Sequence, residues 1–297
     1  LIIMERIEVL KTYKLYIGGQ FPRTESGRYY TPEGKNGKAL GNICQGSRKD
    51  FRNSVTAARK ALSGGGGWKK RDAFNRSQIL YRIGEMLEGR RAQFEDELKL
   101  QGSTASAARK EVEAAIDQCI YYAGWCDKYQ QTFSSVNPVS SPHFNFSVYE
   151  AVGVVAAIAP EKSSLAGLLG TILPIIAGGN SCIVITSESK PLCAITLAEA
   201  LATSDLPGGV VNIITGNRAE LLPHIGTHMD VNAVVASDLS TEDKTSLRTD
   251  ATHNLKRIIL RKDDPAKSES PYPILSTQEI KTTWHPVESS IAGGAGY

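Results

Sequence analysis

Residues 152–185 read VGVVAAIAPEKSSLAGLLGTILPIIAGGNSCIVI, and this stretch decides the fold class. Val152 to Ala159 is a continuous apolar run, which is typical of a strand covered on both faces. Leu165 to Ala177 is apolar over a helical length, and Ser181 to Ile185 is a second buried run. Because a helix-length segment joins the two runs, they predict neighbouring parallel strands with a crossover helix.

The same alternation continues towards the C-terminus. There follow, in order, a helix (Leu192 to Ala202), a strand (Val210 to Ile214), a short helix (Ala219 to Ile225), a strand (Val231 to Ala236) and a further strand (Arg257 to Leu260). Short turns rich in Gly, Pro and Asn separate these segments. The pattern predicts an α/β fold with a doubly wound parallel sheet of the Rossmann-like kind.

The region before residue 134 is predicted to be mainly helical. Lys14 to Gln20 is expected to form a short strand. Two long amphipathic helices should follow, since apolar residues fall at helical spacing from Ile79 to Leu98 and again from Val112 to Ala123. Gly64 to Gly67 is interpreted as a flexible loop between these parts.

Two further segments are predicted to be β-structure outside the sheet region. Ser134 to Tyr149 is rich in Ser and Pro and is interpreted as an extended hairpin that projects from the body. Gln278 to Pro286 is a second β-like stretch, before a Gly/Ala tail. The chain therefore divides into an N-terminal strand and helical part (1–133), a projecting hairpin (134–150), an α/β core (151–260) and a linker with a C-terminal strand (261–297).

Composition and charge narrow the function classes. Of the 297 residues, 41% are hydrophobic and 22% are charged, and the formal net charge is +3. This small, evenly spread charge argues against nucleic acid and anionic membranes as partners. The longest apolar run is too short for a membrane span and contains Gly167, Gly170 and Pro174. The five cysteines lack zinc-ligand spacing, so we expect buried free thiols, no metal and a reducing, cytoplasmic location.

The N-terminal segment, Leu1 to Tyr16, alternates Lys, Arg and Glu with apolar residues. It has neither the apolar region nor the cleavage site of a signal peptide. The chain begins at Leu1, before Met4. We expect a trimmed or processed product, or a segment of a longer polypeptide.

Several motifs make the sequence resemble the aldehyde dehydrogenase superfamily. The most specific is DLPGGVVNIITG at residues 205–216. Val154 to Pro160 resembles the first cofactor-domain strand of that family, and Ala177 to Asn180 resembles the turn before the next strand. Asn254 to Leu260 resembles a later strand, and Tyr16 to Gly19 resembles the opening strand and turn. The resemblance implies a cofactor domain built to bind NAD.

The resemblance also implies a reaction in which a cysteine thiolate attacks an aldehyde, hydride passes to NAD, and activated water hydrolyses the thioester. In the turn that begins at Pro160, Lys162 occupies the place of the family's oxyanion-binding Asn. Arg261 occupies the place of the general-base Glu, and a guanidinium cannot accept a proton. We therefore assign no catalytic residue.

The family's nucleophile belongs to a domain for which this sequence leaves no room. Lys281 to Pro286 (KTTWHP) resembles the final strand of the family. Only 15 residues, Arg261 to Leu275, separate this region from the strand that ends at Leu260. Cys182 and Cys193 lie in the cofactor-type region and are not candidates for the missing thiol.

The cofactor positions that the resemblance implies are altered as well. Glu188 matches the family's ribose-binding Glu, but Ile185 stands where the family has Lys. Asp238 and Asp243 replace two glycines of the phosphate-side turn, where backbone must approach the pyrophosphate and an acid faces an anion. Only Glu188 and Pro160 are assigned to cofactor binding, and Glu188 has the alternative of a solvated turn residue. NAD binding is expected to be weak or absent.

The hairpin and the C-terminal strand resemble the oligomerisation elements of the family. An apolar strand with an unpaired edge needs a partner or risks aggregation. Lys281 and Trp284 are therefore assigned to oligomerisation, with the alternative that Trp284 packs on its own domain. Within the family, the sequence most resembles the abbreviated second unit of the sixteenth aldehyde dehydrogenase class.

These observations predict a non-catalytic, structural or regulatory protein that assembles with itself or with a complete NAD-dependent aldehyde dehydrogenase. Two other functions stay open. The chain could supply a cofactor domain to an oxidoreductase that is active only in a complex with a catalytic partner. It could instead be a nucleotide-binding sensor, for which the retained Glu188 is the only support.

Overall fold

The fold combines a central parallel sheet with a helical layer and two small sheets. A computed structural model describes residues 9–63 and 67–287. The strands are β1 (Thr12–Tyr13), β2 (Tyr29–Tyr30), β3 (Asn42–Cys44), β4 (Ser135–Asn137), β5 (His143–Ala151), β6 (Val154–Ile158), β7 (Ser181–Ile185), β8 (Val211–Ile214), β9 (Ala233–Ala236), β10 (Arg257–Leu260) and β11 (Gln278–Pro286). The helices are α1 (Arg48–Leu62), α2 (Ala73–Gly89), α3 (Arg91–Leu100), α4 (Ala105–Trp125), α5 (Lys128–Phe133), α6 (Ala166–Ala177), α7 (Leu192–Ala202), α8 (Arg218–Thr227), α9 (Thr241–Ala251) and α10 (Tyr272–Ser276). The expectations for the first eight residues, for most of the predicted glycine loop and for the Gly/Ala tail lie outside the described residues.

The central sheet has the strand order β10-β9-β6-β7-β8, and all its strands are parallel. The chain runs outwards from β6 through β7 to β8 and then returns to β9, on the other side of β6. The reversal makes a topological switch point between β6 and β9, and open α/β sheets bind ligands beyond the carboxyl ends of strands at such a point. The predicted doubly wound parallel sheet is confirmed.

Both faces of this sheet are covered. Val155 and Ala157 of β6 join a cluster with α2, α4, α6 and α7. The alternate residues Val154, Ala156 and Ile158 join a second cluster, with α1 and α8. Because successive side chains of a strand point to opposite faces, burial on both sides requires the uninterrupted apolar sequence from which the strand was predicted.

The N-terminal helical part differs from the prediction between Ile79 and Leu98. The stripe from Ile79 to Leu98 was predicted as one helix, and this was wrong. Helix α2 ends at Gly89, and Arg90 leaves the helical conformation with φ −111° and ψ 12° before α3 begins. Glycine weakens the helix there, and the Arg90 guanidinium pairs with Glu199 of α7 at 2.9 Å. Among the described helices, none has the length and apolar composition needed to cross a membrane.

The predicted strand at Lys14 to Gln20 is reduced to isolated bridges. Tyr16 and Ile213 exchange two backbone hydrogen bonds, of 3.0 and 2.8 Å, beside β8. Gly18 and Gly19 then take φ values of 62° and 82°, which turn the chain away at once. Regular pairing occurs earlier instead, where β1 runs parallel to β3.

A three-stranded antiparallel sheet, β11-β5-β4, projects beside the core, and we call it the projecting sheet. Its β4 and β5 confirm the predicted hairpin, and β11 has the predicted bounds. The sheet is fixed at its base, where Gln278 donates to Gly178 O at 3.1 Å and Asn180 donates to Thr277 O at 3.0 Å. Its position relative to the core is therefore set by buried hydrogen bonds.

Candidate functional site

The candidate ligand site is the crevice at the switch point, where β6 and β9 end side by side. Ile158 of β6 pairs with Ala236 of β9, so the loops that follow these strands face each other. The loop after β6 contains Pro160, which is buried, and Lys162, which is exposed. The loop after β9 contains Asp238. Pro160 and Asp238, which the sequence placed at the cofactor, therefore do border one crevice.

The carboxylate of Glu161 lies on the β7 side of this crevice, against the loop that follows β7. Its Oε1 accepts hydrogen bonds from the Ser187 hydroxyl at 3.0 Å and from the Ser189 N–H at 2.7 Å. Its Oε2 accepts from the Glu188 N–H at 3.2 Å and lies 3.0 Å from the guanidinium of Arg218. Burial alone would raise the pKa of the Glu161 carboxyl, but these hydrogen bonds and the Arg218 charge hold it below its usual value.

Arg218 joins the ends of two strands behind Glu161. Its guanidinium donates to Ala159 O at 2.6 Å, after β6, and to Thr186 O at 3.2 Å, after β7. The side chain is only 15% exposed. Burial lowers the pKa of this guanidinium, while the charge of Glu161 opposes that shift. Two carbonyls and one carboxylate therefore compensate the buried cation.

The two aspartates that the sequence resemblance placed at glycine positions, Asp238 and Asp243, have different surroundings. Asp238 has a left-handed φ of 54°, and its Oδ2 accepts the Glu161 N–H at 3.0 Å, so it links the β9 loop to the β6 loop. Asp243 lies in the first turn of α9, where its N–H donates to the capping hydroxyl of Ser240 at 3.0 Å. Carboxylates are favourable at both places without any ligand, because each is near backbone N–H groups.

Ile185 and Glu188 lie at the carboxyl end of β7. Ile185 is 1% exposed and belongs to the core cluster beneath the sheet, so its side chain points away from the crevice. Glu188 is half-buried, and its Oε1 accepts a hydrogen bond from the Asn217 amide at 3.2 Å. The structure thus brings Glu188 to the crevice but already pairs it within the chain.

The N-terminus of α6 is occupied by a carboxylate as well. Oε1 of Glu111 accepts from the Ser163 hydroxyl at 2.7 Å and from the Leu165 N–H at 3.0 Å. Lys162, which the sequence resemblance placed at the oxyanion position, is exposed, and its carbonyl accepts a hydrogen bond from Lys190 at 2.9 Å. The N–H groups that a helix start would offer to an anion are therefore partly used by α4.

Arg261, which the sequence resemblance placed at the general-base position, has a side chain that is only 5% exposed. Its guanidinium donates to Gly170 O of α6 at 3.1 Å and forms an ion pair with Asp263. It lines an open cleft of about 460 Å³ between α6, β10 and α10, together with Ile175 and Tyr272. Among the described residues lining that cleft there is neither a cysteine nor a histidine.

All five cysteines are free and buried, as predicted from their spacing. Burial raises the pKa of the Cys126 thiol to about 12 and raises the pKa values of Cys119, Cys182 and Cys193 as well. A nucleophilic cysteine needs a lowered pKa and access to substrate. These four thiols have the opposite properties.

The projecting sheet presents aromatic and aliphatic side chains to solvent. On β11, Trp284 is 56% exposed and Ile280 is 62% exposed, and the Trp284 ring contacts His143 edge-on at 5.8 Å. Lys281 pairs with Glu150 of β5 at 2.9 Å. Trp284 therefore does not pack into the core of its own domain, and the Lys281 charge is matched within the sheet.

The outer edge of β11 has no partner strand among residues 9–63 and 67–287. Thr277 O accepts from the Val152 N–H at 3.3 Å, and the Val287 N–H donates to Pro142 O at 2.9 Å. In an antiparallel ladder the bonded residues alternate, so odd-numbered residues from 277 to 287 bond to β5. The N–H and C=O groups of Ile280, Thr282 and Trp284 therefore point to the free edge.

Three residues of the crevice were missed from the sequence, namely Glu111, Glu161 and Arg218. Glu161 gave a signal that could have been used, because an acid directly follows the buried strand that ends at the switch point. Arg218 and Glu111 are 57 and 50 residues from Glu161 in the chain, and no local pattern joins them to it.

Comparisons with known proteins match the chain to one protein family. Residues 22–263 match the aldehyde dehydrogenase family. The mitochondrial benzaldehyde dehydrogenase of Antirrhinum majus is 30% identical over 254 residues, which are 83% of this chain and 46% of that protein. Omega-crystallin of Enteroctopus dofleini is 28% identical over 84% of this chain and 50% of its own length.

Solved structures agree on the fold. The NAD+ complex of an aldehyde dehydrogenase from Bacillus cereus superposes with a TM-score of 0.78 at 24% identity, over 84% of this chain and 50% of that one. PnpE from Pseudomonas sp. WBC-3 gives a TM-score of 0.77 at 25% identity. The chain thus spans about half the length of the relatives that it matches.

Proposed function

Since this chain belongs to the aldehyde dehydrogenase family, we propose that it is a non-catalytic, structural or regulatory unit that assembles through the free edge of β11. The partner that we propose is a complete NAD-dependent aldehyde dehydrogenase, as a separate chain or within the same polypeptide. Self-association is the other form of assembly that this edge allows.

The observation behind the proposal is the edge itself. Strand β11 offers the backbone groups of Ile280, Thr282 and Trp284 for pairing, and it places two large apolar side chains beside them. Proteins normally protect such edges with charged side chains, bulges or covering segments. The charges of Lys281 and Glu279 are instead directed at Glu150 and Arg257 of the same chain. A strand added by a partner would form hydrogen bonds with these backbone groups.

The absence of catalysis is supported by the residues at the family's chemical positions. Arg261 is buried, paired with Asp263 and unable to act as a base. Lys162 is exposed at the oxyanion position. The thiols of Cys182 and Cys193 are enclosed in the core, where the charged form of a thiol is disfavoured.

The test is size exclusion with light scattering on the pure chain, alone and mixed with a complete aldehyde dehydrogenase from the same source. We expect a mixed complex or a homodimer, and Trp284→Ala should weaken either one. Phe74→Ala is the matched control, because Phe74 is a similarly exposed aromatic residue on α2. A monomer that ignores the dehydrogenase would contradict assembly. Aldehyde-dependent NADH formation by the pure chain would contradict the non-catalytic assignment.

A further inference from the structure

The crevice at the switch point already contains an anion that belongs to the chain. We propose that the Glu161 carboxylate is an internal ligand of this crevice, and that it takes the place of an external oxyanion and excludes the phosphates of NAD. The hydrogen-bond donors around Glu161 then form an anion-binding site that the chain's own carboxylate occupies. This occupation does not depend on assembly through β11.

The first support is the saturation of the donors. Ser187, Ser189 and Glu188 each donate a hydrogen bond to the carboxylate, at distances from 2.7 to 3.2 Å, and the Arg218 guanidinium forms an ion pair with Oε2 at 3.0 Å. An ionised carboxylate has about four acceptor positions, so three donors and one cation satisfy most of its capacity. An incoming phosphate would have to displace the Glu161 carboxylate from these groups.

The second support is the position of Arg218. Its side chain is held by the ends of β6 and β7 and cannot follow a ligand outwards without losing the bonds to Ala159 O and Thr186 O. Removing one partner of a buried ion pair leaves an uncompensated charge, which is strongly unfavourable. The crevice therefore requires an anion at this point, and Glu161 supplies it at an effective concentration that a free ligand does not reach.

The third support is the link across the switch point. Asp238 accepts the Glu161 N–H at 3.0 Å and so ties the β9 loop to the β6 loop. A dinucleotide phosphate entering between these loops would have to break this bond and would approach the carboxylates of Asp238 and Glu161. Like charges at such short range repel, most strongly where water is excluded. The residues present do not fit NAD.

Two measurements test the inference. Calorimetric titration of the full chain with NAD should give no binding tighter than about 1 mM. Glu161→Ala should lower the thermal midpoint by about 5 °C. Acetate or inorganic phosphate, at constant ionic strength, should restore that midpoint in a saturable way, because the small anion fills the vacated site. The wild-type midpoint should not respond to these anions.

Glu188→Ala is the matched control. It removes a neighbouring carboxylate but leaves the Glu188 N–H and the Glu161–Arg218 pair in place. Its thermal midpoint should not depend on acetate or phosphate. If Glu161→Ala does not fold, Glu161→Gln replaces it, and its midpoint should fall below wild type because the amide cannot balance the Arg218 charge.

Three outcomes would overturn the inference. They are NAD binding by the wild-type chain well below 1 mM, a Glu161→Ala variant as stable as wild type, and a destabilised variant whose midpoint no anion restores. Each of these leaves the oligomeric state unchanged, so the assembly proposal is tested separately by light scattering.

Discussion

Thr196 donates its hydroxyl proton to the buried carboxyl group of Glu97 across 2.7 Å, between α7 and α3. The Tyr13 hydroxyl donates to the same oxygen at 3.4 Å. The other oxygen, Oε2, has no hydrogen-bond partner among the described residues. Burial raises the pKa of Glu97 to about 7, and the bonds from Thr196 and Tyr13 only partly oppose this. The fold therefore favours the protonated form of Glu97.

This arrangement predicts a pH dependence of stability. The folded pKa of about 7 lies above the ordinary value of 4.5, so the folded chain binds more protons between these values. The stability that Glu97 contributes is fully present below pH 4.5 and is lost as the pH rises through about 7. We expect the stability of Glu97→Gln to match that of wild type near pH 4.5. Above about pH 7 it should exceed the wild-type stability by roughly 2–3 kcal/mol.

Urea unfolding across this pH range measures the effect. Glu85→Gln is the control, since Glu85 is an exposed carboxylate on α2. Its stability should keep the wild-type pH dependence. If wild type and Glu97→Gln gave parallel stability curves, Glu97 would not titrate as described.

The buried sheet was predictable from sequence because its signal is local. Strands such as β6 and β7 are covered on both faces, so nearly every residue must be apolar, and a short run suffices to detect them. Helix α9 was missed for the opposite reason. Only Leu247 and Ala251 of this helix are buried, so its sequence has almost no apolar periodicity.

The candidate site was less predictable, because its residues meet only in the folded chain. Comparison of motifs located Asp238, Glu188 and Arg261 but could not give their partners. Asp238 bonds to the backbone of Glu161, and Arg261 bonds to the backbone of Gly170 as well as to Asp263, and a backbone partner has no side-chain signature. Glu97 was likewise predicted only as part of a helix, since its burial depends on packing against α7.

Leu255 gives a prediction about backbone strain. It has a φ of 53°, in the left-handed region, and its side chain is 90% exposed. A Cβ atom in this conformation costs about 1 kcal/mol, and an exposed leucine gains little packing in return. We expect Leu255→Gly to raise stability by about 0.5 kcal/mol, after allowance for the extra freedom of glycine in the unfolded chain.

Thermal unfolding of Leu255→Gly beside Leu255→Ala checks this prediction. Alanine removes the same apolar atoms but keeps the Cβ, so its stability should stay near wild type. Equal gains from both substitutions would show that the exposed side chain, rather than the backbone, is the source of the strain.

Arg261 gives a prediction about chemistry and stability together. Arg261→Glu supplies a carboxylate where the sequence resemblance places the general base, but it removes the donor to Gly170 O and puts a second carboxylate beside Asp263. We expect a loss of about 2–4 kcal/mol in stability and no aldehyde-dependent NADH formation. Lys262→Glu makes the same charge change at an adjacent exposed residue and should cost less than about 0.5 kcal/mol. Aldehyde-dependent NADH formation by the Arg261→Glu variant would mean that the general base was the only catalytic group missing from the chain.

Successive residues of β11 direct their backbone N–H groups to opposite sides of the strand. Substitutions on this strand can therefore affect stability and assembly separately. Thr283 directs its N–H to β5, whereas Thr282 directs its N–H to the free edge. Thr283→Pro should therefore remove a ladder bond and destabilise the chain by at least about 2 kcal/mol. Thr282→Pro should change stability by less than about 1 kcal/mol, because proline is tolerated where the N–H faces outwards.

Light scattering of the Thr282→Pro variant then tests the edge directly. The lost donor and the proline ring both obstruct an incoming strand, so the homodimer or mixed complex should weaken at least tenfold. Thr282→Val keeps the backbone N–H, preserves the β-branched shape and should assemble as wild type does. If Thr282→Pro remained folded and assembled normally, the partner would contact a face of the projecting sheet, where Trp284 and Ile280 lie, and the edge of β11 would not be the assembly surface.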